Sequence, residues 1–447
     1  MRNWSAGYEI IRSYVRFAFW LSHKKIVVTG RQHIPKGKPI IFAPNHQNAL
    51  MDPLAIVCTN PYQTVWLARA DIFKSKTVRP ILKYLKLLPI YRIRDGKENL
   101  SNNEHVFSEV TQILENNQTI ALFPEAAHSG KRQMLPHKKA IPRIAFQAED
   151  QNHFNLDLQI VPVGIVYSHY WDFNRTIIVN YGRPIGVDHY KTDSAENPQK
   201  AMISLRDEIY NRLVPLTIQI DSNNYYMEYE NICSLIGKTY SKQRYFSKNS
   251  ALQQFYAERE LIVKIEHLEN TQPELFEELI DKTARYFKEI SIYGLTDEQI
   301  LKAGEASWPN LLTKLPAALF SLPLFIFGCI FNVLPFFIPR MIIPRKVKDT
   351  AFLSTFQFVT GLVVFPLFYL LSASLLFILT GSGVISIVTL VLMPLGGKIA
   401  FQFLSFYRNI LLYLKFLLGN RSRKNNIYQL LNQRDSLIKF VLEKVNY

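Results

Sequence analysis

Three long uncharged apolar runs in the last third of the chain restrict what it can become. Leu315 to Ile338 is 24 residues without a charge, Phe352 to Thr380 is 29 more, and Val384 to Leu395 resumes after Gly381-Ser382-Gly383. About 18 such residues suffice for a helix that crosses a bilayer, where the backbone must satisfy its own hydrogen bonds. The runs therefore predict membrane-embedded helices, the third spanning only if it continues past Lys398 towards Phe406. Basic residues flank them: Lys314 before the first, Arg340, Arg345, Lys346 and Lys348 before the second, and Arg408, Lys415, Arg421, Arg423 and Lys424 after the last. The positive-inside rule assigns all of these to the cytoplasmic side. The second and third runs obey it as a hairpin over about 352–380 and 384–406. The first, with both flanks basic and Pro316, Pro323, Asn332 and Pro335 inside it, is expected as a re-entrant or interfacial segment over 315–338.

Upstream the pattern is different. Between residues 38 and 185 the short apolar runs PIIFAP, TVWLARA, TIALFPE, LQIVPVGIVY and TIIVNYG alternate with helical patterns, an α/β rhythm. A first unit over 1–235 is expected, then a charged helical connector over 236–310, the membrane region over 311–420 and a basic helical tail over 421–447. At 447 residues the chain has room for this division. Near the start, Ile11, Tyr14, Val15, Ala18 and Phe19 recur at helical spacing. That suits a helix in a membrane interface or one packed on a core. Glu9, Arg12 and Arg16 exclude a signal-peptide apolar stretch.

Lys plus Arg number 52 against 36 Asp plus Glu, a net +16, which favours anionic partners. No nucleic-acid motif or Lys/Arg-rich helix appears, so phosphorylated metabolites and lipid headgroups are the expected partners, not nucleic acid. Cys58, Cys233 and Cys329 are isolated, which speaks against a disulfide framework or a cysteine metal site. A zinc site from His128, His137 and His169 lacks close ligand spacing, and no metal or cofactor is expected.

The stretch APNHQNALMDPL, residues 43–54, carries the chemistry. Positions i and i+6 of a helix point about 240° apart, so His46 and Asp52 must flank a turn to meet. Pro44 disfavours helix before it, and Asp52-Pro53 reads as an N-cap and first helical residue. His46 is then in a loop after the PIIFA strand, with Asp52 capping the helix through one oxygen and orienting the imidazole through the other. Such a pair serves as a general base on a hydroxyl, although Asp-Pro alone is also an ordinary helix cap. Without a Gly-x-Ser-x-Gly or a cysteine nucleophile, it suits direct attack on an activated acyl donor.

Arg92 and Arg94 alternate along an extended segment and can grip a phosphate, Glu125 closes another strand, and Pro162 with Gly164 allows close backbone approach. The ordered blocks Asn45-His46 to Asp52, Arg92/Arg94, Phe123-Pro124-Glu125-Ala126 with Ser129, and Val161-Pro162-Val163 resemble the four motifs of the glycerolipid acyltransferases, over about residues 25 to 220. The resemblance implies an α/β acyltransferase domain followed by the helical connector and α-helical membrane region. It also implies His46 as general base, Asp52 as its partner, and Arg92 or Arg94 with Glu125 in acceptor binding. Five residues separate His46 from Asp52 where the family usually has four, a spacing similar to the fungal-type glycerol-3-phosphate acyltransferases. Ala126 replaces the usual glycine and His128 a frequent arginine, for which Lys131 and Arg132 are the expected substitutes. The implied reaction moves a fatty acyl group from acyl-CoA, an acyl carrier protein thioester or an acyl phosphate to glycerol 3-phosphate. The alternatives are lysophosphatidate as acceptor, or a catalytically inactive lipid-binding membrane protein. An integral membrane protein with its catalytic domain on the cytoplasmic side is expected.

Overall fold

The computed structural model describes residues 4–91, 102–244, 249–346 and 352–445. The chain divides into two compact units, one of 1–218 with 343–359 and the other of 219–342 with 360–447.

The first unit opens on α1 (Ala6–Ser22), whose N-cap Ser5 side chain accepts from Tyr8 N at 3.3 Å. Tyr8, Arg12 and Phe19 are buried, whereas Ile10, Ile11, Tyr14, Phe17 and Trp20 are exposed. The helix thus has two apolar faces, one packed and one open.

A sheet follows. Its strands are β1 (His23–Thr29), β2 (Ile40–Pro44), β3 (Val65–Arg69), β4 (Leu87–Ile90), β5 (Thr119–Ala121), β6 (Gln159–Tyr167), β7 (Arg175–Tyr181) and β8 (Ile185–Gly186). Their order is β1-β7-β6-β2-β5-β3-β4, with β8 on β6. From β6 through β2, β5, β3 and β4 every neighbouring pair is parallel, so their C-terminal ends share one edge. The β6–β7 pair is antiparallel. Strands β2 and β6 are buried along their whole length, as central parallel strands covered on both faces must be. Packing on this sheet are α2 (Met51–Thr59), α3 (Val78–Tyr84), α4 (Asn102–Glu115), α5 (Ala140–Gln151) and α7 (Pro198–Leu213), with the short α6 (Lys191–Glu196) against α7. Val110, Ile113 and Leu114 of α4, Ile141 and Ile144 of α5 and Leu205 and Ile209 of α7 join Ile41, Ile120 and Ile160 in one core. A Cβ on Gly164 would fall 2.1 Å from Leu216 O, which explains a glycine in the middle of β6.

The second unit is helical. It comprises α8 (Tyr226–Arg244), α9 (Ser250–Thr271), α10 (Pro273–Ile292), α11 (Asp297–Gly304), α12 (Trp308–Lys346), α13 (Leu353–Thr380), α14 (Gly383–Leu417) and α15 (Arg421–Lys444), of which the last turn of α12 and the first turns of α13 belong to the first unit. By packing the division falls after Ile218, since α8 packs on α9 and α10. Arg434 of α15 bonds Asp297 at 2.8 Å and so fastens the tail to the connector.

Helices α12, α13 and α14 are each long and apolar enough to cross a bilayer, over Trp308–Ile343, Leu353–Thr380 and Gly383–Leu417. Their large side chains stay exposed: Phe320 at 92 % and Ile378 at 77 % would be unfavourable in water. Residues 315–338 lie within the continuous helix α12 despite three internal prolines, and α14 runs through Lys398. Asn332 donates to Gly328 O at 2.9 Å and to Met393 O at 3.0 Å, which joins α12 to α14 through a polar side chain within apolar surroundings.

Candidate active site

Side chains gather where β2, β5 and β6 end, the edge at which open α/β sheets place ligands. Beyond β2 the Asn45 side chain continues the ladder. Its Nδ2 donates to Ile165 O at 3.1 Å and its Oδ1 accepts from Ile165 N at 2.7 Å. The chain then turns through His46-Gln47-Asn48 and over Ala49, at φ +32°, into α2.

Asp52 is fully buried within the first turn of α2. It does not cap that helix. Its Oδ2 instead accepts from His46 Nδ1 at 2.8 Å and from the loop amides of Gln47 and Asn48, each at 2.7 Å. Its Oδ1 accepts from the Tyr167 hydroxyl at 2.7 Å. The expected division of labour is thereby corrected: α2 begins before Asp52, at Met51, so the carboxylate reaches back into the loop and not forward along the helix. The buried Arg175 guanidinium lies 4.9 Å from the Tyr167 ring centre and supplies a countercharge to Asp52. Four donors thus satisfy a carboxylate buried away from water.

With Nδ1 committed to a carboxylate, His46 holds its proton there and presents Nε2 as the base. The imidazole is 15 % exposed. Phe123 stacks on it at 3.8 Å and 12°, and His128 meets it edge-on at 5.5 Å. These contacts fix the ring plane and leave one edge open.

Glu125 is where its motif predicts, just beyond β5, but both oxygens serve the backbone. Oε1 accepts from His46 N at 2.7 Å and Oε2 from Leu135 N at 2.8 Å. Burial pushes its carboxyl up to about 8, against the downward pull of those two amides. Glu125 is thus a brace that ties the His46 loop to the 123–135 segment. Ser129 N donates to His46 O at 3.3 Å, while the Ser129 hydroxyl donates to Lys131 O at 3.1 Å and accepts from Lys131 N at 3.2 Å. Lys131 is exposed and Arg132 half-buried on the same loop. Arg92 and Arg94 lie outside the described residues, beyond the end of β4. Of the other histidines, His137 packs on Tyr210 at 5.1 Å, and burial lowers it to about 4.

Ala126 has φ +59°, a left-handed conformation that costs a residue with a Cβ roughly 1–2 kcal/mol. Glycine gives back part of that advantage through its unfolded-state entropy, so Ala126→Gly is expected to stabilise the protein by about 0.5–1 kcal/mol. A denaturation midpoint that falls in this variant would contradict the expectation.

Residues the sequence did not single out complete the site: Tyr167 on Asp52, Phe123 under the imidazole, and Asn48. The Asn48 amide donates to Tyr170 O at 2.8 Å and accepts from the Ser354 hydroxyl at 2.7 Å. Phe123 stands inside the quoted FPE motif; the others become neighbours only through sheet register and long-range packing.

Residues 25–166 match the Acyltransferase family. An uncharacterised acyltransferase of Schizosaccharomyces pombe is 24% identical over 378 residues, 76% of this chain and 54% of that protein. A 1-acyl-sn-glycerol-3-phosphate acyltransferase of Borreliella burgdorferi is 23% identical over 47% of this chain and 81% of its own length. The glycerol-3-phosphate O-acyltransferase 1 of Saccharomyces cerevisiae is 28% identical over 25% of this chain and 15% of its own. The chain therefore spans about half the length of the fission-yeast relative.

Proposed function

We infer that this chain, whose residues 25–166 form a domain of the glycerolipid acyltransferase superfamily, is an O-acyltransferase of phospholipid synthesis that acylates glycerol 3-phosphate. The His46–Asp52 pair at 2.8 Å, with Nε2 at the open edge of the ring, carries the reading. His46 Nε2 takes the proton of the acceptor hydroxyl as its oxygen attacks the thioester carbonyl carbon. The carbon–sulfur bond then breaks, and the thiolate takes the proton from the imidazolium. One ester and one thiol are formed, with no covalent enzyme intermediate. Asp52 holds the tautomer and stabilises the transient imidazolium. Acyl-CoA is the proposed donor, with acyl carrier protein thioesters or acyl phosphates as substitutes.

Glycerol 3-phosphate as acceptor is supported by the five-residue separation of His46 and Asp52, accommodated by the left-handed turn at Ala49. Lysophosphatidate is the second reading, favoured by the activity for which the bacterial relative is named. The phosphate is common to both, and Arg92 and Arg94, with Lys131 and Arg132 as substitutes, are proposed to bind it. The exposed apolar surface of α12 to α14 supports an integral membrane protein, and the positive-inside bias of its basic residues supports a cytoplasmic catalytic unit. Basic residues on both flanks of the apolar run 315–338 within α12 favour an interfacial placement for it. Purified enzyme given acyl-CoA and each acceptor in turn is expected to show at least about tenfold higher kcat/KM with glycerol 3-phosphate. The opposite ranking would make it a lysophosphatidate enzyme.

A further inference from the structure

The first turn of α13 lies in the catalytic unit, 306 residues along the chain from Asn48, and touches the His46–Asp52 loop at two points, with a third contact through His128 from the residue just before the helix. Ser354, buried, donates its hydroxyl to Asn48 Oδ1 at 2.7 Å. Thr355 Oγ1 accepts from Leu50 N at 3.2 Å. Phe352 packs edge-on to His128 at 5.2 Å, and His128 in turn meets His46 at 5.5 Å. Asn48 and Leu50 bracket the left-handed turn at Ala49, and the Asn48 amide N–H is one of the three donors to Asp52 Oδ2 from this loop. With its side-chain amide donating to Tyr170 O, Asn48 is held from two directions.

We propose that Ser354 and Thr355 are positioning residues for the acyl-transfer reaction: the head of an apolar helix fixes the loop that aims the catalytic imidazole. The loop is short, turns through a strained residue and carries both members of the pair. An error of about 1 Å in such a constellation can cost on the order of 10²-fold in rate. Ser354 and Thr355 supply hydroxyls where the neighbours Phe352, Leu353, Phe356 and Phe358 supply only apolar surface. Phe358 anchors the same turns against Phe19 of α1, their rings 6.2 Å apart. The active site is in this way completed by a segment far outside the 25–166 family match.

This inference rests on the acyltransferase reading, so the test has an arm that does not need activity. In the full-length protein in detergent, Ser354→Ala is expected to lower kcat about tenfold, with KM for donor and acceptor unchanged within about twofold. Thr355→Val should behave likewise, and Thr355→Ser, which keeps the hydroxyl, should restore wild-type kcat. The double variant Asn48→Ala/Ser354→Ala should be no slower than Asn48→Ala within about twofold, because both remove one bond. Amide exchange over residues 45–52 should quicken in Ser354→Ala and Thr355→Val whether or not the acceptor is rightly assigned. Wild-type kcat and unchanged exchange in both variants would overturn the proposal, as would multiplicative losses in the double variant. A wild type as inactive as His46→Ala would instead overturn the acyltransferase reading, while the exchange arm still decided whether the α13 turn holds the loop.

Discussion

His46→Ala is expected to lower kcat by about 10²- to 10⁴-fold, the usual worth of a positioned general base. The acceptor hydroxyl is a poor nucleophile until its proton has somewhere to go, and His46 Nε2 is the ring nitrogen left open once Asp52 has engaged Nδ1 at 2.8 Å. KM for the donor should change little, because the imidazole is proposed to act on the acceptor proton. The fold should survive. The ring is partly exposed, and losing its stack on Phe123 costs on the order of 1 kcal/mol. Asp52→Asn is expected to lose a comparable factor for a different reason: its NH₂ or its single remaining oxygen must face the three donors that converge on Oδ2. Turnover assays on purified, folded protein decide this. Near-normal rates in His46→Ala would remove the catalytic assignment and return a lipid-binding membrane protein as the better reading.

The parts legible in the sequence are those written by local rules. Strands β2, β3, β5, β6 and β7 follow from apolar runs bounded by turn residues, and the three apolar helices from length alone. Strand β1 was hidden because His23 follows Ser22 of α1 with no intervening turn residue, so helix and strand read as one amphipathic stretch. The two-residue β8 is too short for any periodicity. Within the site, the pairing of His46 with Asp52 follows from the turn that six positions require. The use of Asp52's two oxygens does not. That depends on Tyr167, which reaches Asp52 through the parallel register of β6 on β2, where Ala43 faces Pro162 and Pro44 faces Val163. Ser354 lies beyond any local pattern because its partner is supplied by packing across most of the chain. The sequence resemblance places Glu125 in acceptor binding; that it is buried and its two oxygens accept from the His46 and Leu135 amides is visible only in the packed structure.

Glu125→Ala is accordingly expected to damage stability and turnover together, an outcome not anticipated for a residue that only touches the acceptor. The amides of His46 and Leu135 would each lose a buried acceptor at about 1–3 kcal/mol, so a loss of roughly 2–6 kcal/mol is expected. With the loop no longer tied to the 123–135 segment, kcat should fall on the order of 10²-fold even under conditions where the variant stays folded. The carboxyl adds a pH signature. Burial raises it to about 8 in the native state from the ordinary 4.5, so between those values the folded protein binds the proton more tightly than the unfolded chain. Its contribution to stability is therefore full below about pH 4.5 and is lost as pH rises through about 8. Glu125→Gln has no such proton and keeps one acceptor oxygen. Measured from pH 5 to 8.5, the wild-type melting temperature should fall relative to that of Glu125→Gln. Parallel curves would show that the two amide bonds outweigh burial and that Glu125 is ionised throughout, and an alanine variant with wild-type stability and kcat would show that it is no brace at all.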